Sequence, residues 1–215
     1  MMNRLYGLYG ISDCKLTPYV NIFQYLESAI SGGLRIFQLR DKIHSDNDIE
    51  GLARELQDFC HSKDVLFIIN DRYKLALKIN ADGIHLGRDE LDCFQDLRNS
   101  FSGIIGISCY ASIESAMYYE DLGADYVAFG AFFPSHTKPN ATTAPVTLLK
   151  EAKVKCKIPI CAIGGINVSN VGLLRDADMI AVISSLWSND NLSLPCESSN
   201  FIRYNASSLL LAWKS

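Results

Sequence analysis

Two hydrophobic patterns alternate along the whole chain. Short apolar runs rich in β-branched and aromatic residues predict strands, and segments with apolar residues three and four positions apart predict amphipathic helices. The predicted strands cover residues 5–11, 34–39, 65–70, 83–86, 103–108, 126–130, 159–163 and 179–183. The predicted helices cover residues 20–30, 48–61, 73–79, 91–99, 113–122, 146–153, 169–175 and 201–213.

This alternation predicts one α/β domain over residues 1–215, a (β/α)8 TIM barrel. Apolar strands separated by helices are typical of a parallel sheet that helices cover. A short motif recurs just before three of the strands, as Asn80-Ala81-Asp82, Gly123-Ala124-Asp125 and Asp176-Ala177-Asp178. Asn80 and Gly123 suit the left-handed conformation that ends a helix. An open doubly wound sheet is the alternative arrangement.

Composition narrows the class of protein. The chain has 215 residues, of which 48% are hydrophobic, enough for one barrel with a substantial core. A net charge of −4 without any Lys/Arg block argues against binding to nucleic acid or to a membrane surface, and no apolar run approaches the ~20 residues of a membrane span. The seven cysteines form no CxxC pair, which predicts reduced, mostly buried residues in a cytoplasmic protein. The sequence leaves the oligomeric state open, including a homo-oligomer.

The segment 34–42 begins as a buried strand and ends in polar and charged groups. Gln38 and Arg40 share one face of the strand, and Lys42 follows at its tip. In a barrel this face is the interior or the mouth, where such groups are costly unless an anion pairs with them. One interpretation is a phosphate or diphosphate held by Arg40 and Lys42. The other is an internal ion pair between Arg40 and a carboxylate, with a solvated Lys42.

Further polar groups follow the other strands, where the catalytic groups of a barrel lie. Asp71 with Asp89 or Glu90 offers the hard oxygen ligands that suit Mg²⁺, although the same carboxylates would also suit helix N-termini. Two other pairs, Gly164-Gly165 and Ile183-Ser184, end the last two strands, where barrels usually bind phosphate through backbone N–H groups. Simple turn glycines are the alternative there.

Two histidines lie near these groups without a clear catalytic signal. His85 sits inside a strand and is expected to be a core histidine, and His136 lies in a polar loop. Two anion sites and a divalent cation in one mouth predict displacement of diphosphate. A diphosphate substrate with Mg²⁺ would occupy the side of strands two to four, and a monophosphate the side of strands seven and eight.

Eight motifs in order along the chain resemble those of thiamine-phosphate synthases. They are LYGISD (8–13), QLRDK (38–42), INDR (69–72), ADGIHLG (81–87), GIS (106–108), GADYVAFG (123–130), FPSHTKP (133–139) and AIGGI (162–166). The resemblance spans residues 5 to about 186. It implies a transferase that joins the small molecules hydroxymethylpyrimidine diphosphate and thiazole (carboxylate) phosphate, with Mg²⁺, to give thiamine phosphate and diphosphate.

The resemblance also implies roles for individual residues. The pyrimidine diphosphate would be bound by Gln38, Arg40, Lys42 and Asn70, and Leu39 and Asp41 would also belong to the substrate-binding set. Ser108 would lie beside the reacting centre, and Lys138 would contact the diphosphate. The thiazole side would be contacted by Ser135 and Thr137, and its phosphate by Gly165, Ile183 and Ser184. His136 would also belong to the substrate-binding set. The catalytic set would be Arg40, Lys42, Ser108 and Lys138.

One motif departs from the family pattern, which usually reads Gly-Gln-(Asp/Glu)-Asp after strand four. Here it reads Gly-Arg-Asp-Glu, so Arg88 brings a charge toward the metal. Asp71 would remain a magnesium ligand, and either Glu90 or Asp89 would be the second.

Two other functions compete with the synthase. A related thiazole tautomerase carries a catalytic histidine just after the glycine that ends strand six, where this chain has Ala131. A non-catalytic barrel that binds phosphate ligands is the second alternative.

Overall fold

Eight parallel strands close into a barrel in the computed structural model, which describes residues 4–134, 143–189 and 200–215. The strands are β1 (Gly7–Ile11), β2 (Leu34–Leu39), β3 (Leu66–Asn70), β4 (Gly83–Leu86), β5 (Ile104–Tyr110), β6 (Tyr126–Phe129), β7 (Ile160–Ile163) and β8 (Met179–Val182). Each strand pairs with the next, and β1 pairs with β8. The predicted (β/α)8 barrel is therefore confirmed, and the open sheet is not formed. That a single domain spans residues 1–215 stays a prediction.

Helices cover the outside of the barrel. They are α1 (Ile22–Ser31), α2 (Asp46–Ser62), α3 (Tyr73–Ile79), α4 (Phe94–Ser100), α5 (Ile113–Asp121), α6 (Thr147–Lys155), α7 (Ser184–Trp187) and α8 (Asn200–Lys214). Two of the predicted helices differ. The segment 91–99 starts as a 3₁₀ helix over Arg88–Cys93 that continues into α4, and the segment 169–175 is only a 3₁₀ helix over Val171–Leu174. The short α7 was not predicted.

The strands carry two layers of apolar side chains. Outward-facing residues such as Phe37 and Leu39 pack between the barrel and the helices. Inward-facing residues such as Tyr9, Ile36 and Tyr126 fill the interior. Gln38 alternates with Phe37 and Leu39, as the period of a strand requires, and its side chain is buried inside the barrel. The predicted inward direction of Gln38 is thus what the structure shows.

The motif that recurs before three strands has a clear structural reason. Its aspartate reaches back to the start of the preceding strand, where Oδ2 accepts a backbone N–H. Three such bonds occur, Asp82 with Phe67 (2.9 Å), Asp125 with Ile105 (2.8 Å) and Asp178 with Ile160 (2.8 Å). Each carboxylate also pairs with a basic side chain, respectively His61 (2.8 Å), Arg98 (2.9 Å) and Lys153 (2.5 Å). We call these three arrangements the aspartate clasps.

The seam between the first and last strands has its own contacts. The N–H of Gly7 donates to the carbonyl of Asp178 (2.9 Å), and the indole N–H of Trp187 on α7 donates to the carbonyl of Ile11 (2.7 Å). At the helix ends, Asn80 and Gly123 adopt the positive φ that their motif predicts, at 51° and 98°.

The structure also bears on two predictions from composition, those on the cysteines and on membrane-spanning helices. Of the six cysteines that the structure describes, all are free and four are buried, while Cys196 lies outside the described residues. In the described part of the chain, no helix is both long enough and apolar enough to cross a bilayer.

Candidate active site

The end of β2 presents a guanidinium to the mouth of the barrel. Ser12, just after β1, fixes the main chain there, since its Oγ accepts the N–H of Arg40 (2.7 Å) and donates to its carbonyl (3.2 Å). The half-buried Arg40 has no carboxylate partner among the described residues. The internal ion pair that the sequence left open is therefore not formed with any described carboxylate, and the charge of Arg40 is left for another anion.

Lys42 lies next to the same mouth and is only loosely paired. Its Nζ is 3.7 Å from Oδ2 of Asp71, and 61% of its side chain is exposed. An ion pair this long and this exposed contributes little to stability. Lys42 thus adds a second positive charge that a ligand can use.

Leu39 and Asp41 alternate with these cations but point elsewhere. Leu39 packs in the outer core. The buried carboxylate of Asp41 accepts the N–H groups of Ile43 (2.7 Å) and His44 (2.8 Å) and the hydroxyl of Tyr19. Burial alone would raise the pKa of Asp41, but these hydrogen bonds lower it well below its usual range. The side chains of Leu39 and Asp41 are thus used in packing and in hydrogen bonds within the protein. Only their main-chain atoms can face a ligand.

Arg72 joins the loop after β2 to the loop after β3. Its guanidinium donates to the carbonyl oxygens of Asp41 (2.8 Å) and His44 (2.6 Å), and it pairs with Asp46 (2.6 Å) at the start of α2. The loop that carries Lys42 and the loop that carries Asp71 are therefore held together by one half-buried guanidinium.

Asp71 is held in an unusual backbone conformation at the end of β3. Its φ is 62°, a region that Asp and Asn adopt more readily than most residues. Its Oδ2 accepts the amide of Asn70 (2.6 Å), and its Oδ1 accepts the N–H of Gly87 (3.0 Å). These bonds fix the carboxylate between the ends of β3 and β4.

Glu90 brings a second carboxylate to the same point. A Cβ atom placed on Gly87 would lie 3.0 Å from Oε2 of Glu90 and 3.3 Å from Oδ1 of Asp71. Burial and the negative charges of Asp71 and Asp89 raise the pKa of Glu90. Burial is the larger cause, and a cation would relieve the part of the shift that comes from the neighbouring carboxylates.

Asp89 and Arg88 take different positions from Glu90. Asp89 lines, with Asp71 and Glu90, a cavity of about 310 Å³ beside the start of α3. The guanidinium of Arg88 lies over the ring of Tyr110, 4.3 Å from its centre. The side chain of Arg88 thus stacks on the end of β5, and the effect of its charge on a metal site stays a prediction.

The chemistry of these groups fits Mg²⁺. That ion takes one or two carboxylates and completes its shell with waters and substrate phosphates. Asp71 and Glu90 offer two carboxylates beside an open cavity, and the described residues contain no cluster of three or more His, Cys, Asp or Glu that suits a metal held by protein alone. The magnesium site itself stays a prediction.

Ser108 belongs to a chain of hydrogen bonds that crosses the barrel interior. Its Oγ lies 2.9 Å from Nε2 of His85, whose Nδ1 lies 2.8 Å from the hydroxyl of Tyr126. That hydroxyl lies 2.9 Å from the hydroxyl of Tyr9, which accepts Nε2–H of Gln38 at 2.6 Å. We call these five residues the interior relay. Burial lowers the pKa of His85 to about 4, so the ring is neutral at neutral pH.

The relay refines what the sequence predicted. His85 is bonded at both ring nitrogens, as expected of a core histidine, but one of its partners is a predicted catalytic residue. Tyr9 and Tyr126 were not among the predicted site residues. Buried tyrosine hydroxyls need partners, and that requirement was the available signal.

The loops after β7 and β8 lie side by side because these strands pair. Gly165 has a φ of 64°, and a Cβ there would come within 2.4 Å of the carbonyl of Pro134, so only glycine fits. Ile183 and Ser184 mark the start of α7. The predicted phosphate-binding residues of these two strands are thus brought together.

Four predicted residues, Ser135, His136, Thr137 and Lys138, lie outside the described residues.

Comparison with known proteins gives one consistent result. The sequence profile of the thiamine monophosphate synthase family matches residues 8–186. The thiamine-phosphate synthase of Wolinella succinogenes is 47% identical over 213 residues, which cover 98% of this chain and 95% of that protein. That of Alcanivorax borkumensis is 39% identical over 84% of each chain.

A solved structure agrees with the relatives. The thiamine phosphate pyrophosphorylase from Pyrococcus furiosus superposes with a TM-score of 0.82 at 29% identity, covering 99% of this chain and 96% of that one. The profile match and the identity over nearly the full length show that this chain belongs to the thiamine monophosphate synthase family.

Proposed function

We propose that this protein is a thiamine-phosphate synthase. It would join 4-amino-2-methyl-5-(diphosphooxymethyl)pyrimidine to a thiazole phosphate or its carboxylate, with release of diphosphate. The observation that supports this most is the meeting of two available cations with two carboxylates in one mouth. Arg40 has no described carboxylate partner at the end of β2, and Lys42 is only loosely paired with Asp71. Asp71 and Glu90 approach each other at the ends of β3 and β4.

The cations would stabilise the departing diphosphate. Arg40 offers a fork that matches phosphate oxygens, Lys42 a mobile point charge, and Lys138 is predicted to add a third. Charge fixed in position before the reaction lowers the barrier for a leaving group that gains negative charge. Asp71 and Glu90 would hold Mg²⁺, with Asp89 at the rim. When bound, the ion supplies positive charge beside the diphosphate oxygens.

The reaction itself would be dissociative. The bond between the methylene carbon and the diphosphate oxygen breaks, and its electron pair leaves with diphosphate. The amino-substituted ring stabilises the resulting cation, and the lone pair of the thiazole nitrogen captures it. Ser108, Gln38 and Asn70 would hold the pyrimidine in line with the thiazole, which is catalysis by alignment.

The second substrate would occupy the opposite side of the mouth. Backbone N–H groups of Gly165, Ile183 and Ser184 would bind its phosphate, at the place where barrels commonly do so. Ser135 and Thr137 are predicted to contact the thiazole side. The main chain of Leu39 and Asp41 would complete the wall on the diphosphate side.

Thiamine phosphate formation from both substrates, titrated with Mg²⁺, tests this function. We expect product and diphosphate only when both substrates and the metal are present, and no turnover in EDTA. Controls that omit one substrate exclude simple hydrolysis of the pyrimidine diphosphate. Binding of both ligands without product would instead favour a non-catalytic barrel, and isomerisation of the thiazole alone would favour a tautomerase.

A further inference from the structure

The interior relay is continuous from β2 to β5. It joins two residues that are predicted to contact the pyrimidine, Gln38 and Ser108, through three that are not. The ring of Tyr126 has room because its neighbour on β5 is glycine. A Cβ at Gly106 would lie 2.0 Å from Cζ of Tyr126. The interior is therefore built around this hydroxyl.

The number of polar hydrogens in the interior relay determines the direction in which its hydrogen bonds donate. Each tyrosine hydroxyl has one hydrogen and neutral histidine has one N–H. If Tyr9 donates to Tyr126, then Tyr126 donates to Nδ1 of His85, and Nε2–H of His85 donates to Ser108. Every buried hydrogen then has an acceptor.

The opposite direction leaves a buried hydrogen without an acceptor. Ser108 would donate to His85, His85 to Tyr126, and Tyr126 to Tyr9. Tyr9 already accepts from Gln38, so its own hydrogen would have no acceptor among the described residues. A buried donor without a partner is costly, which favours the first direction.

We propose that the interior relay has this one direction at neutral pH, with His85 as its neutral Nε2–H tautomer. Ser108 then accepts from His85, and its own hydroxyl hydrogen is free to donate at the mouth. Gln38 uses its N–H on Tyr9, so its Oε1 is presented as an acceptor. His85, Tyr126 and Tyr9 are positioning residues that act through Ser108 and Gln38.

The relay thus presents a donor on β5 and an acceptor on β2. An aminopyrimidine has ring nitrogens that accept and an exocyclic amino group that donates, so its polar groups complement the pair. This part of the inference rests on the proposed function. A pyrimidine with a carbonyl in place of the amino group would meet the acceptor Gln38 with another acceptor and be rejected.

The tautomer of His85 tests the relay without any substrate. Long-range ¹H–¹⁵N NMR on protein labelled with ¹⁵N-histidine distinguishes the two tautomers, and the signals of His85 are those that disappear in His85→Gln. We expect a single Nε2–H tautomer near neutral pH in the unaltered protein. The Nδ1–H tautomer, or rapid averaging of the two, would overturn the proposal.

A matched pair of variants tests the consequence for binding. Tyr126→Phe removes the donor to Nδ1 of His85, whereas Tyr118→Phe removes a hydroxyl from an exposed tyrosine on α5. We expect Tyr126→Phe to average the His85 tautomers and to raise KM for the pyrimidine diphosphate about tenfold, with KM for the thiazole phosphate unchanged. Tyr118→Phe should change neither.

The two readouts separate the inference from the proposed function. Equal changes in both KM values, or none, would contradict the role of the relay in recognition. An inactive unaltered protein that nevertheless shows the fixed Nε2–H tautomer would contradict the proposed function and leave the direction of the relay supported.

Discussion

The two ends of the barrel use charge in opposite ways. At the amino-terminal end, each aspartate clasp places a carboxylate within 3 Å of both a backbone N–H and a basic side chain. At the carboxyl-terminal end, Arg40 has no described carboxylate partner and Lys42 is 3.7 Å from Asp71. The charges are thus satisfied at one end and left incomplete at the other.

This difference separates structural charges from functional ones. A paired carboxylate that also accepts a main-chain hydrogen bond stabilises the fold and gains nothing from a ligand. Two carboxylates that approach each other, as Asp71 and Glu90 do, raise the free energy of the empty site and favour a cation. The positions of aspartates in the sequence do not reveal this difference, because aspartates stand next to strands at both ends of the barrel.

Neutralising Asp71 should give the largest effect. Asp71→Asn keeps the side-chain shape and tolerates the positive φ, where Asp71→Ala would add backbone strain. We expect kcat to fall about 100-fold or more, because the proposed magnesium ligand is lost while the fold is kept. Steady-state kinetics with a thermal melt measure both. The matched variant Asp82→Asn should lower the melting temperature and leave kcat unchanged. If Asp82→Asn instead lowered kcat and Asp71→Asn lowered only the melting temperature, the contrast between the two ends of the barrel would be refuted.

Filling the space beside Tyr126 should come next. Gly106→Ala forces the tyrosine ring out of the interior, since the new Cβ would lie 2.0 Å from it. We expect the free energy of unfolding to fall by about 2–3 kcal/mol. Gly51→Ala on α2 is the control, because nothing lies within 4 Å of its Cβ position. Urea titration compares the two, and equal stability would show that the interior relay is not tightly packed.

Breaking one clasp should affect stability alone. Asp125→Ala leaves the buried N–H of Ile105 and the guanidinium of Arg98 without this acceptor. We expect a loss of about 1–3 kcal/mol in unfolding free energy, with kcat per folded molecule unchanged. If kcat falls under conditions in which Asp125→Ala is fully folded, the amino-terminal end also contributes to function.

The smallest effect expected is a pH dependence due to His85. The folded protein keeps this ring neutral down to its pKa of about 4, whereas the unfolded chain protonates it near about pH 6.5. The unfolded state therefore binds more protons between these values, and stability falls as the pH is lowered. Between about pH 7 and 5.5 the loss should be about 1 kcal/mol. Urea titrations of the unaltered protein and of His85→Gln at both pH values measure this loss. If both proteins lose the same unfolding free energy between the two pH values, the neutral ring of His85 is contradicted.

Hydrophobic periodicity was enough to predict the barrel, and it failed where elements are short. Strands and long helices repeat a pattern over many residues, so their order was recoverable. The 3₁₀ helix Val171–Leu174 and the helix Ser184–Trp187 have four residues each, too few for a period to show. Their positions depend on contacts with distant parts of the chain, such as that of Trp187 with Ile11.

The candidate site could be predicted only where a polar residue stands out from an apolar strand. Arg40, Lys42 and Asp71 did so, and the direction of Gln38 followed from strand alternation. Tyr9 and Tyr126 are 117 residues apart and read as ordinary core aromatics, so their shared hydrogen bond was not visible. The stacking of Arg88 on Tyr110 was missed for the same reason, because motif spacing does not give side-chain direction.

The aspartate clasps also bear on how the chain folds. They join positions only 15, 20 and 18 residues apart, within the pairs β3–β4, β5–β6 and β7–β8. The contact of Trp187 with Ile11 spans 176 residues. Because the entropy of loop closure grows with the length of chain enclosed, we expect clasped strand pairs to form early and the seam of β1 with β8 to close last. The barrel would thus assemble from three locally closed modules, and its two chain ends would meet only in the final step.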